Sequence, residues 1–420
     1  MRELVETKAP AILAVTLLAL TLTTPYLLGA PGAYLQIVCA VLALAMLVSR
    51  RDALQIGGDP TYRLLLIALA ILIAAFAATA HQPREAIFGL NFAMLLLFGP
   101  LAAFLGRFAA PGNTIRVAGF ALVGAALALA LALFQVLVMH MDRAAGWGSD
   151  PIWSAEAALI LGFIAVIGLR SQHRWRVLFA LGPVLGTAAC LLAGSRGPLV
   201  ALPAMLLVAM LFASRRWWLV PLLAAIAAIA AFLVLKVAFP ASIDRFGSLI
   251  GIGQDLATGK TIAEVSAGTR QAFYAAGYQA FLHAPWIGYG WQEKMQAIVP
   301  YLPGDGAALI APHRHLHSDV LDFGVAGGIA GLIAYALIIA APLVGAIKAP
   351  RDGQYVARLM GAGLLAAGYF FCGLTYLMFG YEFLTELYVC LAAVLIGYCR
   401  DVPPLAASER PRGAAGAVSG

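Results

Sequence analysis

The sequence predicts an all-α polytopic membrane protein of about twelve transmembrane helices with one large outer loop. Three observations carry that prediction. Hydrophobic residues make up 62% of the 420 residues and charged ones 11%, with a mean hydropathy of +0.91; a soluble chain of this size needs a far more charged surface. The apolar residues gather into segments of about 20, long enough to cross a hydrocarbon core of roughly 30 Å as a helix, whereas barrel strands need only about 9–11 residues. Connections are short almost everywhere, so successive helices pack as antiparallel neighbours in one bundle.

The first span, 10–28, follows "MRELVETK" without a clear small-residue cleavage site and reads as a retained anchor, not a cleaved signal peptide. Spans at 33–49, 62–80, 87–105, 117–139, 152–169 and 177–193 follow, each of helical length. Pro198 is placed to start the eighth, 198–213, because a helix's first turn does not need the N–H that proline lacks. The ninth, 217–238, closes a block of nine helices over 1–238. Residues 239–317 then form a loop far longer than the usual helix connection, which points to function. Spans 318–346, 357–377 and 381–399 make a second block over 318–400, and the Ala-, Pro-, Gly- and Ser-rich tail 401–420 reads as disordered and cytoplasmic. There is no internal repeat and no inverted pair of broken helices of the kind that marks many transporters.

Charge orients this topology. Arg84, Arg143, Arg196, Lys236, Arg245, Lys260, Arg270, Lys294 and Arg314 fall on one side, and the remaining eighteen of the 27 Lys and Arg on the other. The positive-inside rule then puts both termini in the cytoplasm and the long loop outside. The net charge of +7 is mostly this asymmetry and gives no case for nucleic-acid binding. The cysteines, Cys39, Cys190, Cys372, Cys390 and Cys399, lie in or at the ends of spans without paired spacing, which argues against disulfides and a cysteine metal site.

Within the loop, "GTRQAFYAAGYQAFLHAP" over 268–285 sets Phe273, Tyr274, Gly277, Tyr278 and Phe281 at helical spacing. It predicts an amphipathic helix along the membrane surface, stopped near Pro285. The turn "PWIGYGWQ" at 285–292 follows, with two tryptophans suited to the interfacial zone.

Candidate chemistry gathers at the outer face. Arg196, in "AGSRGPLV" at 193–200, reads either as an arginine snorkelling to the interface or as an anion-binding arginine beside glycines that admit a ligand. Arg270, near the start of the loop helix, reads either as a solvated surface residue or as a cation whose unfavourable place on the helix dipole a bound anion would resolve. His313, His315 and His317 have three readings: a metal site, a solvated turn, or a general base oriented by Asp319 or Asp322. Arg314 and Ser318 flank these groups. Glu382 and Glu386, four apart on one face of the last span, either neutralise the arginines, meet the substrate, or pair between helices.

"HSDVLDFGVAGGIAG" at 317–331 fits the pattern His, then Asn, Ser or Gln, nine residues, Gly, two residues, Gly, ending on Gly328 and Gly331. With "GSRG" at 194–197, Arg270 and "HAPWIGYGW" at 283–291, it resembles the O-antigen ligase and polymerase superfamily of bacterial inner membranes. The resemblance implies a GT-C-type glycosyltransferase that takes a glycan from undecaprenyl pyrophosphate at the periplasmic face. It also implies an inverting, metal-independent transfer without a cofactor. The acceptor, for a ligase, is a sugar of the lipid A–core. Carried onto this chain, the catalytic set is His317, Arg270 and Arg196, with Arg314, Ser318, Asp319, Glu382 and Glu386 as further candidates for substrate contact, and membrane lipids as the surroundings. The chemistry agrees. The leaving group is already activated, a guanidinium fork suits its phosphates, and a histidine suits removal of the acceptor's proton.

The rivals are a polymerase using the same donor, a protein O-oligosaccharyltransferase, and a non-enzymatic transporter or flippase. The protein-directed enzymes often carry an extra C-terminal soluble region, and about 20 residues follow the last span here. Against transport stand the lack of repeat symmetry and the scarcity of charge deep in most spans.

Overall fold

The computed structural model describes residues 2–49, 58–147, 150–212, 226, 229–230, 232–234, 236–237 and 265–402. Most of the ninth expected span, residues 239–264 of the long loop, and the tail beyond 402 lie outside these. All regular structure among the described residues is helical.

The chain runs through α1 (Arg2–Leu22), α2 (Ala30–Ser49), α3 (Pro60–Ala78), α4 (Pro83–Gly106), α5 (Asn113–Leu137) and α6 (Pro151–Arg170). Next come α7 (Arg176–Leu192), α8 (Gly197–Phe212), α9 (Val265–His283), α10 (Lys294–Ile298), α11 (Asp319–Lys348), α12 (Tyr355–Gly373) and α13 (Glu382–Ala393). An Asp-Pro pair starts two of them. Asp59 accepts from the Thr61 N–H at 2.8 Å and Asp150 from the Ile152 N–H at 2.7 Å, while the proline takes the first helical position.

Among the described residues, seven helices are long and apolar enough to cross a membrane: α2 through Val48, α3, α4, α5, α6, α11 and α12. Lys8–Leu22, α7 and α8 are apolar but shorter. The polytopic all-α class therefore stands, while the count of twelve is not reached among the described residues. Two spans differ from expectation. The span expected over 357–377 stops at Gly373 because the chain turns there to deliver the Met378 and Phe379 N–H groups to Asp319. The one expected over 381–399 is α-helical only to Ala393 and ends in a π turn, Val394–Tyr398.

Apolar side chains such as Val38 (56% exposed) and Leu211 (71%) point out of the bundle, the surface a hydrocarbon solvent would cover. Inside it, α6 is the most enclosed of the seven, and α11 packs along α3 and α12.

A break in α11 positions the outer loop. At Gly328 the helix breaks, with φ 58° and ψ −148°, a conformation only glycine adopts without strain. The break exposes backbone groups, and the turn after α9 satisfies them. Tyr289 and Gly290 N–H donate to the Val325 and Ala326 carbonyls at 2.9 and 2.8 Å, while Ile329 and Ala330 N–H donate to the Pro285 and Trp286 carbonyls at 2.6 and 3.2 Å. Each such group left bare in a dry interior would cost about 1–3 kcal/mol. A side chain at Gly288 would strike the Val325 and Ala326 backbone. The glycine-spaced motif of α11 and the "PWIGYG" turn are thus two halves of one interlock.

Candidate active site

The helix expected over 268–285 is α9, and its inner face, Phe273, Ala276 and Ala280, joins Met295, Ile298, Leu316 and Val325 in a small core of its own beneath the outer loop. This core seats the histidine turn. Tyr274 of α9 places its hydroxyl 2.8 Å from the His317 carbonyl and 3.2 Å from that of Leu374, donating to the nearer and fixing the turn against the end of α12. Burial pushes the Tyr274 phenol up to about 12, so it stays a donor at any ordinary pH.

His317 adopts φ 58°, one of two non-glycine residues with positive φ among those described. Backbone of this kind costs on the order of 1–3 kcal/mol and persists where its surroundings over-determine it. Here they do: besides the Tyr274 bond, the His317 N–H donates to His315 Nδ1 at 3.2 Å. That bond places the His315 proton on Nε2. His317 Nε2 lies 3.3 Å from His313 Nδ1, and the rings of His315 and His317 both meet Tyr376, at 4.9 and 5.3 Å between centroids.

The imidazoles are held neutral. Burial lowers His317 to about 3, helped by the positive charge of Arg270 and by His313, and lowers His315 to about 2, helped by His317 and Lys294. His313 is lowered by burial and Arg270.

Arg270 sits half-buried in the second turn of α9 and meets the turn between α7 and α8. A Cβ built on Gly197 would lie 4.0 Å from Arg270 Nη1 and 2.7 Å from Thr375 Oγ1. The "GSRG" turn, Arg270 and the histidines therefore converge from three distant parts of the sequence. Arg196 is half-buried in that turn. Its neighbour Ser195 accepts from Arg143 at 3.2 Å, and Arg143 also donates to the Ala193 carbonyl at 3.0 Å, so the turn is braced from behind.

The carboxylates are placed differently from expectation. Neither Asp319 nor Asp322 reaches the His317 ring, whose Nδ1 is buried without a hydrogen-bond partner. Asp319 accepts from the Met378 N–H at 3.1 Å. Asp322 pairs with Lys294 Nζ at 3.0 Å and accepts from the Leu316 N–H at 3.3 Å. Asp322 thus holds the histidine turn, and Asp319 the turn after α12, through backbone N–H groups and not through the imidazole. Ser318 is the buried N-cap of α11 without a capping side-chain bond, and Arg314 is exposed. Glu382 accepts from Tyr34 of α2 at 2.8 Å and Glu386 from Cys390 of its own helix at 3.3 Å, so the geometry gives this pair neighbours other than the arginines.

Sequence reasoning passed over Tyr274 and Tyr376 as site residues, Lys294 as a buried partner, and Glu156. The last is wholly buried in α6 with both carboxylate oxygens unbonded. An acid inside the 152–169 span, near its start, was the signal available for it. Nothing in sequence marks Lys294 as buried, because only the tertiary fold brings it to Asp322.

No three or more His, Cys, Asp or Glu among the described residues are arranged to hold a metal ion. The cysteines are buried and unpaired. Compared with known families, residues 181–336 match the model described as "O-Antigen ligase", a range that takes in the 194–197 turn, Arg270, the histidine turn and the break in α11. No curated protein matches the chain.

Proposed function

With residues 181–336 belonging to the O-antigen ligase family, we propose that this membrane protein is the ligase that moves O-antigen from undecaprenyl pyrophosphate to the lipid A–core. The convergence of Arg270 on Gly197 of the arginine turn, beside the packed rings of His313 and His317, is the observation that carries the reading. Such a site pairs permanent positive charge with an uncharged base.

Arg270 and Arg196 hold the pyrophosphate and take up the charge that grows on it as the bond to the sugar breaks. The acceptor hydroxyl oxygen attacks the anomeric carbon from the opposite face. Undecaprenyl pyrophosphate departs with the bonding electron pair, and the configuration inverts. His317 receives the hydroxyl proton, with His313 at 3.3 Å able to share it. An anion bound at Arg270 offsets the charge that depresses His317, so the base strengthens when the donor is in place.

The fuller picture is a GT-C-type bundle of about twelve spans in the inner membrane, with the site at the periplasmic face, both termini cytoplasmic and no metal in the reaction. The lipopolysaccharide banding of a deletion strain tests the reading. Loss of a ligase leaves bare core while lipid-linked polymer accumulates. Core bearing a single repeat would make the protein the polymerase instead.

A further inference from the structure

A cleft of about 470 Å³ opens between the end of α3 and the residues that follow the interlocked turn. The reaction described above leaves it unused. Its volume falls in the range of about 300–1,000 Å³ typical of small-molecule sites. Thr79 and His81 line one wall, and Tyr289, Glu293 and Gln296 the other.

The lining has a definite chemical character. It offers a carboxylate, a carboxamide, an imidazole and a phenol ring, groups that between them donate to and accept from hydroxyls. Its lining includes no Lys or Arg, and its one acid, Glu293, disfavours phosphate. Glu293 occupies the N-cap position of α10 yet makes no side-chain capping bond, so helix geometry does not consume its carboxylate. Beside the cleft, the interlocked turn exposes Trp286 (73%) and Ile287 (44%), an amphipathic margin suited to a membrane interface.

The cleft is linked to the histidine turn through Lys294, Asp322 and Leu316. Glu293 precedes Lys294, which turns the other way to meet Asp322; that carboxylate in turn holds the Leu316 N–H, next to His317.

We propose that this cleft is a saccharide subsite that takes sugar units of the membrane-anchored acceptor. The assignment rests on the transferase reading above. Hydroxyl-rich sugar is the chemistry recognised, and the donor glycan is its other possible source, so the test separates the two.

The full-length protein in lipid nanodiscs is assayed with lipid A–core and lipid-linked donor, varying one at a time, for wild type, Glu293→Ala, Gln296→Ala and Ala297→Trp. Loss of one or two sugar hydrogen bonds should raise the acceptor KM about tenfold while the donor KM and kcat hold within about twofold. Core oligosaccharide freed of lipid by mild acid should show saturation-transfer contacts with wild type that weaken in all three variants. A rise in the donor KM alone would overturn the acceptor assignment. Unchanged kinetics with unchanged oligosaccharide binding would overturn the subsite itself. If wild type transfers nothing between these substrates, the functional reading fails, and the oligosaccharide titration still decides the cleft.

Discussion

Lys294 Nζ stands 3.0 Å from Asp322 Oδ1 with both side chains buried, and 3.2 Å from the centre of the Trp291 ring. The pair ties the segment after the interlocked turn to the base of α11, one helical turn from the histidines. Burial lowers the Lys294 pKa, opposed by the Asp322 charge. Removing one partner strands the other in a dry interior. Asp322→Ala should cost about 3–5 kcal/mol and release the Leu316 N–H as well. Chemical unfolding of the solubilised protein measures this. A loss below about 1 kcal/mol would mean that the pair is solvated, in the range of surface salt bridges.

The break at Gly328 gives a second prediction. A methyl group there would lie 2.5 Å from the Trp286 carbonyl carbon and 2.6 Å from both Ile287 N and Pro285 O, in backbone space closed to L-residues. Gly328→Ala should force the turn off α11, leaving the four interlocking hydrogen bonds unmade. Limited proteolysis should then cut between 284 and 290 far faster than in wild type. Equal protection would show that the turn holds without the break.

How much of this was legible beforehand depends on what each feature needs. The helical class and the α9 helix follow from apolar periodicity, which is local, and Asp59-Pro60 and Asp150-Pro151 declare their own caps. The motif residues Gly328, Gly331 and "PWIGYG" were visible as a pattern, but that one satisfies the other's backbone required the fold. Asp319 and Asp322 were near enough in sequence to suggest contact with His317, yet helical phase turns both into the core, where backbone N–H groups and a lysine claim them. The bounds of the spans are less legible than their existence, because hydropathy counts apolar residues and not where hydrogen bonds end a helix, as at Gly373.

Arg196 and Arg270 give a third prediction. Lysine keeps the charge at either position but loses the planar fork that matches phosphate oxygens. Arg196→Lys and Arg270→Lys should each lower transfer by about 10²-fold, the scale of losing one donor that stabilises a developing anion. Membrane levels of the protein should stay near normal, since both side chains are only half-buried. Full activity in Arg270→Lys would assign that residue to the solvated surface.

Chelation supplies a fourth. In the proposed reaction the pyrophosphate is activated without a Lewis acid, so exhaustive EDTA treatment should leave activity intact. Activity lost to EDTA and restored by zinc or magnesium would move His313, His315 and His317 into a ligand set.

The last concerns His317 and pH. Burial is the chief cause that pushes His317 down to about 3 and His315 down to about 2. An unfolded histidine takes up a proton near pH 6.5, so the stability these groups contribute is present above about 6.5 and lost as pH falls towards their folded values. The kinetic consequence separates two constants. The acid limb of kcat/KM reports the free enzyme and should lie well below 6.5. The limb of kcat reports the donor complex, where pyrophosphate offsets Arg270, and should lie at higher pH than that of kcat/KM. His317→Ala should cut kcat by about 10²–10⁴-fold while donor binding persists through the arginines. His313→Ala should have a smaller effect and shift the kcat limb, because it removes the partner 3.3 Å from His317 Nε2. If the His317→Ala enzyme binds donor poorly but turns it over at the normal rate, His317 is a phosphate ligand. Glu156, buried with both oxygens unbonded, then becomes the first carboxylate to test as the base.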